Sequence, residues 1–316
     1  MYPLVSRRHF FFGALALGGC SASRPAAVEH AVSIHKAASY EVDLEQILRT
    51  VLTEQRCDVR GKRVLLKPNL VEFEADRPIN THPQLVAAAC AAFQAAGARE
   101  VLIAEGPGHR RPTWDMAEAA GYFDALPRFE SQFTDLNLDN VTRVQLKTNH
   151  SSLRELYLPN TVLRADLLVS LAKMKTHHWA GATLSMKNLF GIVPGGVYGW
   201  PKNALHWAGI DESIADLNAF FPSHFSIVDG IEAMEGNGPI LGSKKEMGVI
   251  VAGAHPPSVD ETCCRIMGID PTRIAFLQLA AKNNSRPSTI SQIGEKIAAV
   301  ASPFALIPEL QHLRLS

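Results

Sequence analysis

Short apolar runs that end in polar or glycine residues recur along the chain. These runs are Val64–Leu66, Val101–Ile103, Leu167–Val169, Ile227–Val228 and Val249–Val251. Each is typical of a buried strand. Apolar positions with helical spacing lie between several of them, as from Pro83 to Gly97 and from Asp211 to Phe220. This alternation predicts an α/β fold with a largely parallel sheet flanked by helices in Rossmann-like layers, and it leaves open a division into two sub-domains. In such sheets ligands bind beyond the carboxyl ends of the strands, so the polar residues there are the first candidates for chemistry.

The N-terminus has the order of segments found in an export signal. Residues 6–11 contain Arg7 and Arg8, a short apolar stretch covers 12–17, and residues 17–20 read as a lipobox that ends at Cys20. The apolar stretch is too short to span a bilayer as a helix. We therefore predict a twin-arginine lipoprotein signal over 1–20, recognised by the twin-arginine export machinery. A linker over 21–29 and an α/β domain over 30–316 follow this signal. The mature protein is expected outside the cytoplasm, in the periplasm or an equivalent space, where lipidated Cys20 attaches it to a membrane.

The charge balance argues against a polyanionic partner. Lysine plus arginine and aspartate plus glutamate number 31 each, with 47% hydrophobic residues in the 316-residue chain. A chain without net charge has no long-range field to attract nucleic acid, so no nucleic-acid partner is expected.

The cysteines lack the spacing of a metal centre. Beyond Cys20 they are Cys57, Cys90, Cys263 and Cys264, and no Cys-x-x-Cys pair occurs. Cysteine-ligated zinc and iron–sulfur clusters are therefore not expected. Disulfide pairing stays open, although the apolar surroundings of Cys90 indicate a buried thiol.

The densest cluster of reactive side chains follows the third apolar run. It contains Lys173, Lys175 and His177, with Lys187 ten residues further on and His206 beyond. Lysines and histidines just after a strand suit an anionic ligand or a metal ion. For any single residue, a solvated basic loop explains the pattern equally well. Taken together, the cluster favours a site.

Two further segments also close predicted strands. Residues 105–113 form a glycine-containing loop with His109 and Arg110, followed by a helix that Thr113 could cap, and a plain turn is the alternative. Residues 229–239 place Asp229 and Glu235 among glycines without calcium-loop spacing.

Two positions outside those segments have competing interpretations. Lys67, in Lys67-Pro68-Asn69, suits a phosphate or carboxylate, or is a surface lysine before a turn. Asp260 could begin the helix that runs toward Cys264, as a cap or as a catalytic carboxylate.

Several motifs in order resemble one family. They are Lys67-Pro68-Asn69, Ala165-Asp166, Lys173-Met174-Lys175-Thr176-His177, Met186-Lys187-Asn188-Leu189-Phe190-Gly191, Asp229-Gly230, Glu235-Gly236-Asn237-Gly238-Pro239 and Asp260. The stretch from about Arg63 to Asp270 resembles the bacterial and archaeal family called domain of unknown function 362. Many relatives carry a ferredoxin-like iron–sulfur segment, which this chain lacks.

A more distant likeness is to lactate racemases, which use a nickel pincer nucleotide bound to a lysine. His109-Arg110, His177, Lys187 and His206 fall in the racemase order, although the racemases' glycine-rich turn is replaced by 182–186. The likeness implies His109 and His177 as an acid/base pair, Lys187 as the point of cofactor attachment and His206 as a metal ligand. Arg110 or Lys67 would hold a substrate carboxylate.

The sequence thus predicts a site for a small anionic ligand. Catalytic candidates are His109, His177 and Lys187, and His206 is the metal candidate. Residues predicted to bind a cofactor or ligand are Lys67, Asn69, Lys173, Lys175, Asn188, Asp229 and Glu235. The expected function is a metal- or cofactor-dependent enzyme with racemase-like or redox chemistry, with a metal ion or nickel pincer nucleotide as its cofactor. The alternative is a non-catalytic anion-binding lipoprotein of the periplasm.

Overall fold

The computed structural model describes residues 29–108, 111–221, 224–282 and 289–316. The predicted signal over 1–20, almost all of the linker, Cys20, His109 and Arg110 lie outside these residues. In the described part of the chain, no helix combines the length and the apolar composition needed to cross a bilayer.

Strands recur along the described chain as the apolar runs predict. They are β1 (Glu29–Lys36), β2 (Arg63–Pro68), β3 (Glu100–Glu105), β4 (Phe133–Asp135), β5 (Val141–Gln145), β6 (Glu155–Pro159), β7 (Leu167–His177), β8 (Gly181–Thr183), β9 (His224–Glu235), β10 (Ser243–Gly253) and β11 (Thr289–Gly294). Each of the five apolar runs lies within one of these strands, so those predictions are confirmed.

Helices occupy most of the connections. They are α1 (Leu44–Glu54), α2 (Pro83–Ala95), α3 (Thr113–Ala119), α4 (Tyr122–Ala125), α5 (Phe129–Gln132), α6 (Asn160–Leu163), α7 (Ser185–Asn188), α8 (Gly195–Tyr198), α9 (Asn203–Trp207), α10 (Ile210–Phe220), α11 (Pro256–Ile266), α12 (Ala275–Lys282) and α13 (Ile297–Val300). Short 3₁₀ helices cover Leu189–Ile192, Pro271–Arg273 and Pro308–Leu313. The two helices expected from apolar spacing are observed as α2 and α10.

The main sheet is mixed but mostly parallel. Its order is β11-β1-β10-β9-β7-β2-β3-β4, and β8 pairs with β7. The five strands β9, β7, β2, β3 and β4 are parallel neighbours, whereas β10 runs antiparallel to both β1 and β9. Strands β5 and β6 form a separate two-stranded sheet. The predicted α/β fold with a largely parallel sheet is confirmed.

Two apolar cores lie on the two faces of this sheet. Alternation along β2 sends Leu65 into one core and Val64 and Leu66 into the other. The first core also holds residues of α10, α11 and α12, and the second holds residues of α1 and α2. Because successive side chains of a strand point to opposite faces, a fully apolar strand contributes to both cores.

Two predicted helix caps are wrong in detail. Helix α3 begins at Thr113, but its N-cap is Pro112 and no side chain caps it. Asp260 lies in the middle of α11, whose N-cap is His255. The two prolines Pro256 and Pro257 start that helix earlier than expected, because proline is preorganised for the first helical turn.

Candidate functional site

The parallel strands end at a single large cavity. It has a volume of about 1000 Å³ and is lined by residues from the carboxyl ends of β2, β3 and β7 and from the segment 183–206. Residues 237–241 and 307–309 complete its wall. We call this the main cavity. Its position agrees with the general rule for ligand sites in open α/β sheets.

Lys67 and Glu105 form a closed network in the wall of the main cavity. The Lys67 ammonium donates to the Glu105 carboxylate, to the Asn188 side-chain oxygen at 3.0 Å and to the Pro68 carbonyl at 2.8 Å. The Asn188 amide donates in turn to the Lys67 carbonyl and to Ser170. All three donors of the ammonium have acceptors, so Lys67 and Asn188 hold the ends of β2, β3 and α7 together.

Two other buried lysines keep donor capacity for a ligand. Lys175 donates to the carbonyls of Ile79 at 2.8 Å and Pro239 at 3.3 Å, and Lys202 donates to those of Gly106 and Phe190. Each ammonium has three N–H donors but only two of these carbonyl acceptors. No described carboxylate lies within 4 Å of either ammonium. Burial lowers the pKa of Lys202 to about 7 and lowers that of Lys175 well below its ordinary range.

Lys187 is the least engaged amine of the main cavity. Among the described residues, its ammonium has no hydrogen-bond acceptor and no carboxylate within 4 Å, and it lies 4.1 Å from the centre of the Phe190 ring. Burial lowers the pKa of Lys187 to about 8, and the charge of Lys67 acts in the same direction. Lys187 is therefore a cation, or at higher pH a free amine, that is available to a ligand.

The hydrogen bonds of His177 fix its tautomer. Its Nδ1 accepts from the backbone N–H groups of Trp179 at 3.1 Å and Ala180 at 3.2 Å. An Nδ1 that accepts carries no proton, so the neutral ring bears its proton on Nε2. Burial lowers the pKa of His177 well below its ordinary value, and Lys187 adds to this shift. His177 is thus a neutral donor in the wall of the main cavity.

His178 and His206 have the opposite tautomer. Nδ1 of His178 donates to the Gly238 carbonyl at 2.8 Å, and Nδ1 of His206 donates to the Lys202 carbonyl at 3.1 Å. Each neutral ring therefore has an unprotonated Nε2 that can accept a proton or a hydrogen bond. Burial lowers the pKa of His206. The main cavity thus contains both a donating and two accepting imidazoles.

Two buried oxygen atoms in the cavity wall have no partner among the described residues. They are Oδ1 of Asn69 and Oγ1 of Thr183, in side chains that are 6% and 4% exposed. Buried polar groups are ordinarily hydrogen-bonded, so both atoms are available to donors of a ligand.

Asp260 holds the segment that carries Lys187. Its carboxylate accepts from the backbone N–H of Ser185 at 2.8 Å, from the Ser185 hydroxyl at 2.5 Å and from the N–H of Met186 at 2.9 Å. Burial raises the pKa of Asp260 to about 7, whereas these three donors favour the ionised form. Asp260 does not line the main cavity, and its contribution to the site is positional.

The family and one relative were found by comparison with known proteins. Residues 64–265 match the family described as "Domain of unknown function (DUF362)". The chain belongs to this family. A protein of Synechocystis sp. named thylakoid-associated protein sll1697 is 31% identical over 268 residues, which cover 81% of this chain and 80% of that protein. No solved structure matches the chain.

The DUF362 region supplies most of the main cavity. Predicted site residues that line it are Lys67, Asn69, Lys175, His177, Lys187, Asn188 and His206. Ile307, Pro308 and Glu309 line it from outside the matched residues. Lys67 meets Lys175 and His177 because β2 and β7 are parallel neighbours.

Three predicted ligand-binding residues of the family motifs are not part of the main cavity. Lys173 and Asp229 face each other across β7 and β9 and form a buried ion pair of 3.0 Å. Tyr40 completes the pair, because its hydroxyl donates to Asp229 at 2.9 Å and accepts from Lys173 at 2.8 Å. Lys173 lines a separate cavity, and the pair is a structural element between the two strands.

Glu235 lies away from the main cavity as well. It forms an ion pair of 3.3 Å with Lys245 and accepts from the backbone N–H of Ala305. Gly238, three residues further on, has a packing role, since a Cβ there would overlap the Thr176 carbonyl. This motif therefore places the 237–239 loop against the end of β7.

Sequence reasoning did not select several polar residues of the cavity, among them Glu105, Lys202, His178 and Thr183. Glu105 and His178 lay inside the segments considered, but nothing distinguished them from their neighbours. Lys202 has no sequence signal, since it enters the cavity from a loop and adopts a left-handed backbone with φ of 69°.

Few metal-binding side chains converge among the described residues of the main cavity. In the part of the chain that the structure describes, no three histidine, cysteine or carboxylate side chains converge as metal ligands. His178 and His206 each offer an Nε2 that is unprotonated in the neutral ring, whereas the Nε2 of His177 carries a proton. Lysines dominate the cavity instead. His109, predicted to act beside His177, lies outside the described residues.

Proposed function

We propose that this protein binds an organic anion in the main cavity. The observation that carries the proposal is a set of three lysines that line one cavity and have no carboxylate within 4 Å among the described residues, namely Lys175, Lys187 and Lys202. Glu105 is neutralised by Lys67, and Glu309 is an exposed residue of the rim. A buried cation without a partner destabilises a fold. Binding of an anion that accepts hydrogen bonds from these amines would therefore be strongly favoured.

Anion binding can be tested by thermal unfolding and calorimetry. We expect phosphate, sulfate and small carboxylates to raise the melting temperature more than chloride does at equal ionic strength. A ligand at a hundred times its dissociation constant stabilises the folded state by about 2.7 kcal/mol.

Replacing Lys187 by Met should weaken binding by about tenfold or more, since hydrogen bonds to charged groups contribute about 1.5–3 kcal/mol. Lys282→Met, at an exposed position, is the matched control. A panel of anions that all behave like chloride would refute the proposal.

We also propose a catalytic role for this site, supported by the two kinds of imidazole in the cavity. His177 offers a proton on Nε2 and His206 offers a lone pair on Nε2, which is the pairing needed to move a proton on a bound anion. Racemase-like or other isomerase chemistry would use this pairing.

Exchange of carbon-bound hydrogen with D₂O, followed by NMR over a panel of hydroxy and oxo carboxylates, tests this role. His206→Gln should slow exchange by about 10²- to 10⁴-fold while leaving anion affinity within a few-fold. The absence of exchange in every anion that binds would leave a binding protein, which is the second candidate function.

We further propose that the protein is exported and attached to a membrane through Cys20. The order of the N-terminal residues supports this, and the relative named as thylakoid-associated is in keeping with a membrane location. The intact mass of protein from the native host should show a lipid on Cys20. Cys20→Ser should release the protein from the membrane fraction, and an unchanged membrane fraction would contradict the proposal.

A further inference from the structure

The wall of the main cavity changes character with depth. Four of its cationic or imidazole side chains are at most 5% exposed, and they are Lys67, Lys175, Lys202 and His177. Apolar side chains line the same cavity where it opens to solvent. Trp179 is 63% exposed and Leu241 is 61% exposed, and Ile240 and Ile307 beside them are half-buried. Lysine amines and the His177 imidazole therefore lie where the cavity is buried, and the apolar side chains of Trp179 and Leu241 lie where it is open.

This apolar rim is more than ordinary surface exposure. Single exposed apolar residues are common on soluble proteins. Here Trp179 comes from the turn after β7, Leu241 from the loop after β9 and Ile307 from the C-terminal segment, yet all three line one cavity. Polar residues of the rim are His178, Asn237 and Glu309. Convergence of apolar side chains from three separate segments indicates a surface that a ligand covers.

The size of the cavity points in the same direction. A volume of about 1000 Å³ lies at the upper end of the range for small-molecule sites. One water occupies about 30 Å³ in the liquid, so a phosphate or a three-carbon acid fills only a small part of this space. An anion held by the lysines would leave the apolar rim uncovered unless it carried a further group.

We propose that the ligand of the main cavity is an amphiphilic anion, in which a phosphate or carboxylate group is joined to an apolar chain or ring. This inference rests on the proposed anion binding and adds the chemical class of the ligand. The charged group lies against Lys175, Lys187 and Lys202. The apolar group lies along Trp179, Ile240 and Leu241 toward the opening.

Calorimetry with two series of ligands tests the inference. Methyl, butyl, hexyl and octyl phosphates are titrated below their micelle concentrations, with the matching carboxylates in parallel, and inorganic phosphate is the reference. We expect affinity to rise by up to about fourfold for each methylene that is buried, until the chain leaves the cavity. The two series share the apolar chain, so they also identify which charged group the lysines prefer.

Variants separate the two ends of the ligand. The double substitution Trp179→Ser and Leu241→Ser should flatten the dependence on chain length and leave the affinity for methyl phosphate within about twofold. Leu138→Ser is the matched control, because Leu138 is 81% exposed and does not line the cavity. Lys187→Met should weaken every member of a series by a similar factor.

Each outcome bears on one of the two proposals. If methyl phosphate or acetate binds and octyl compounds bind no better, the amphiphilic class is wrong and anion binding stands. A gain with chain length that survives the double substitution also refutes the inference, because the apolar group would then lie elsewhere. If no member of either series binds, the proposed function itself fails and the inference fails with it.

Discussion

Replacing Lys187 by Met should make the protein more stable while weakening its anion binding. Lys187 contributes no hydrogen bond to the described residues, and its ammonium lies over the face of the Phe190 ring, 4.1 Å from the ring centre. Methionine is unbranched and of similar reach, and its sulfur packs well against an aromatic ring. The substitution thus keeps the contact and removes the charge.

The pKa shift gives the expected magnitude. A pKa lowered from 10.5 to about 8 corresponds to an unfavourable contribution of about 3 kcal/mol for the protonated amine in the folded state. Lys187 is half-buried, so solvent screening reduces this unfavourable contribution. The variant also loses the attraction between the ammonium and the Phe190 ring, which contributes about 0.5–2 kcal/mol. We therefore expect Lys187→Met to raise the free energy of unfolding by about 1–3 kcal/mol at pH 7.

The pH dependence has a definite sign. A lysine whose folded-state pKa is lowered destabilises the protein fully below that pKa, and the destabilisation is lost as pH rises toward the unfolded-state pKa. For Lys187 the window runs from about 8 to 10.5. The advantage of the variant should be largest at pH 7 and should shrink to about 1 kcal/mol or less at pH 10.

Urea unfolding at the two pH values measures this effect. Wild type, Lys187→Met and the exposed-site control Lys282→Met are compared without anions other than chloride, and the control should match wild type within about 0.5 kcal/mol. A variant that is less stable than wild type at pH 7, or whose advantage grows with pH, would refute the reasoning. It would show that the Lys187 ammonium has a favourable partner in the folded protein.

Three further predictions concern the frame around the site. Gly191→Ala should lower the free energy of unfolding, measured by urea titration, by about 3–5 kcal/mol, because a Cβ there would overlap the buried ion pair between Lys67 and Glu105. Gly108→Ala is the control, because a Cβ at Gly108 has room and should be well tolerated. Lys173→Met alone should lower the free energy of unfolding by about 3–5 kcal/mol, because it leaves Asp229 unpaired, and adding Asp229→Leu should recover part of the loss. Equal stability of the single variant and wild type would contradict this prediction. His177 should stay neutral with its proton on Nε2 between pH 6 and pH 8, since its pKa lies well below the ordinary value of 6.5, and ¹⁵N chemical shifts that titrate in that range would disprove the assignment.

Strands and their polar ends were the part of the fold most accessible from sequence. The run before Lys67 and the run before Lys173 both became parallel strands, and their carboxyl ends meet at the sheet edge as the topology rule requires. Pairing direction was less accessible. The run in β10 is as apolar as the one in β7, yet β10 is antiparallel to β9, because the connection between them is a short loop without a crossover helix.

The site could be predicted by position but not by role. Lys173 and Lys175 are two residues apart and look alike in sequence. In the structure Lys173 pairs with Asp229, whereas Lys175 has only carbonyl acceptors, and that difference depends on which strand lies alongside. Lys202 had no local signal, because its place in the cavity comes from a loop conformation that only the tertiary structure fixes.

These five lysines therefore fall into two classes with different physical consequences. Lys67 and Lys173 each face a carboxylate, and their charges are neutralised inside the protein. Lys175, Lys187 and Lys202 are not neutralised, so each lowers the stability of the unliganded protein near pH 7. Three lysine amines without a carboxylate partner among the described residues are a cost that fold stability does not explain. Groups with strongly shifted pKa values cluster at functional sites, so the same three amines that weaken the empty protein are the ones expected to hold its ligand.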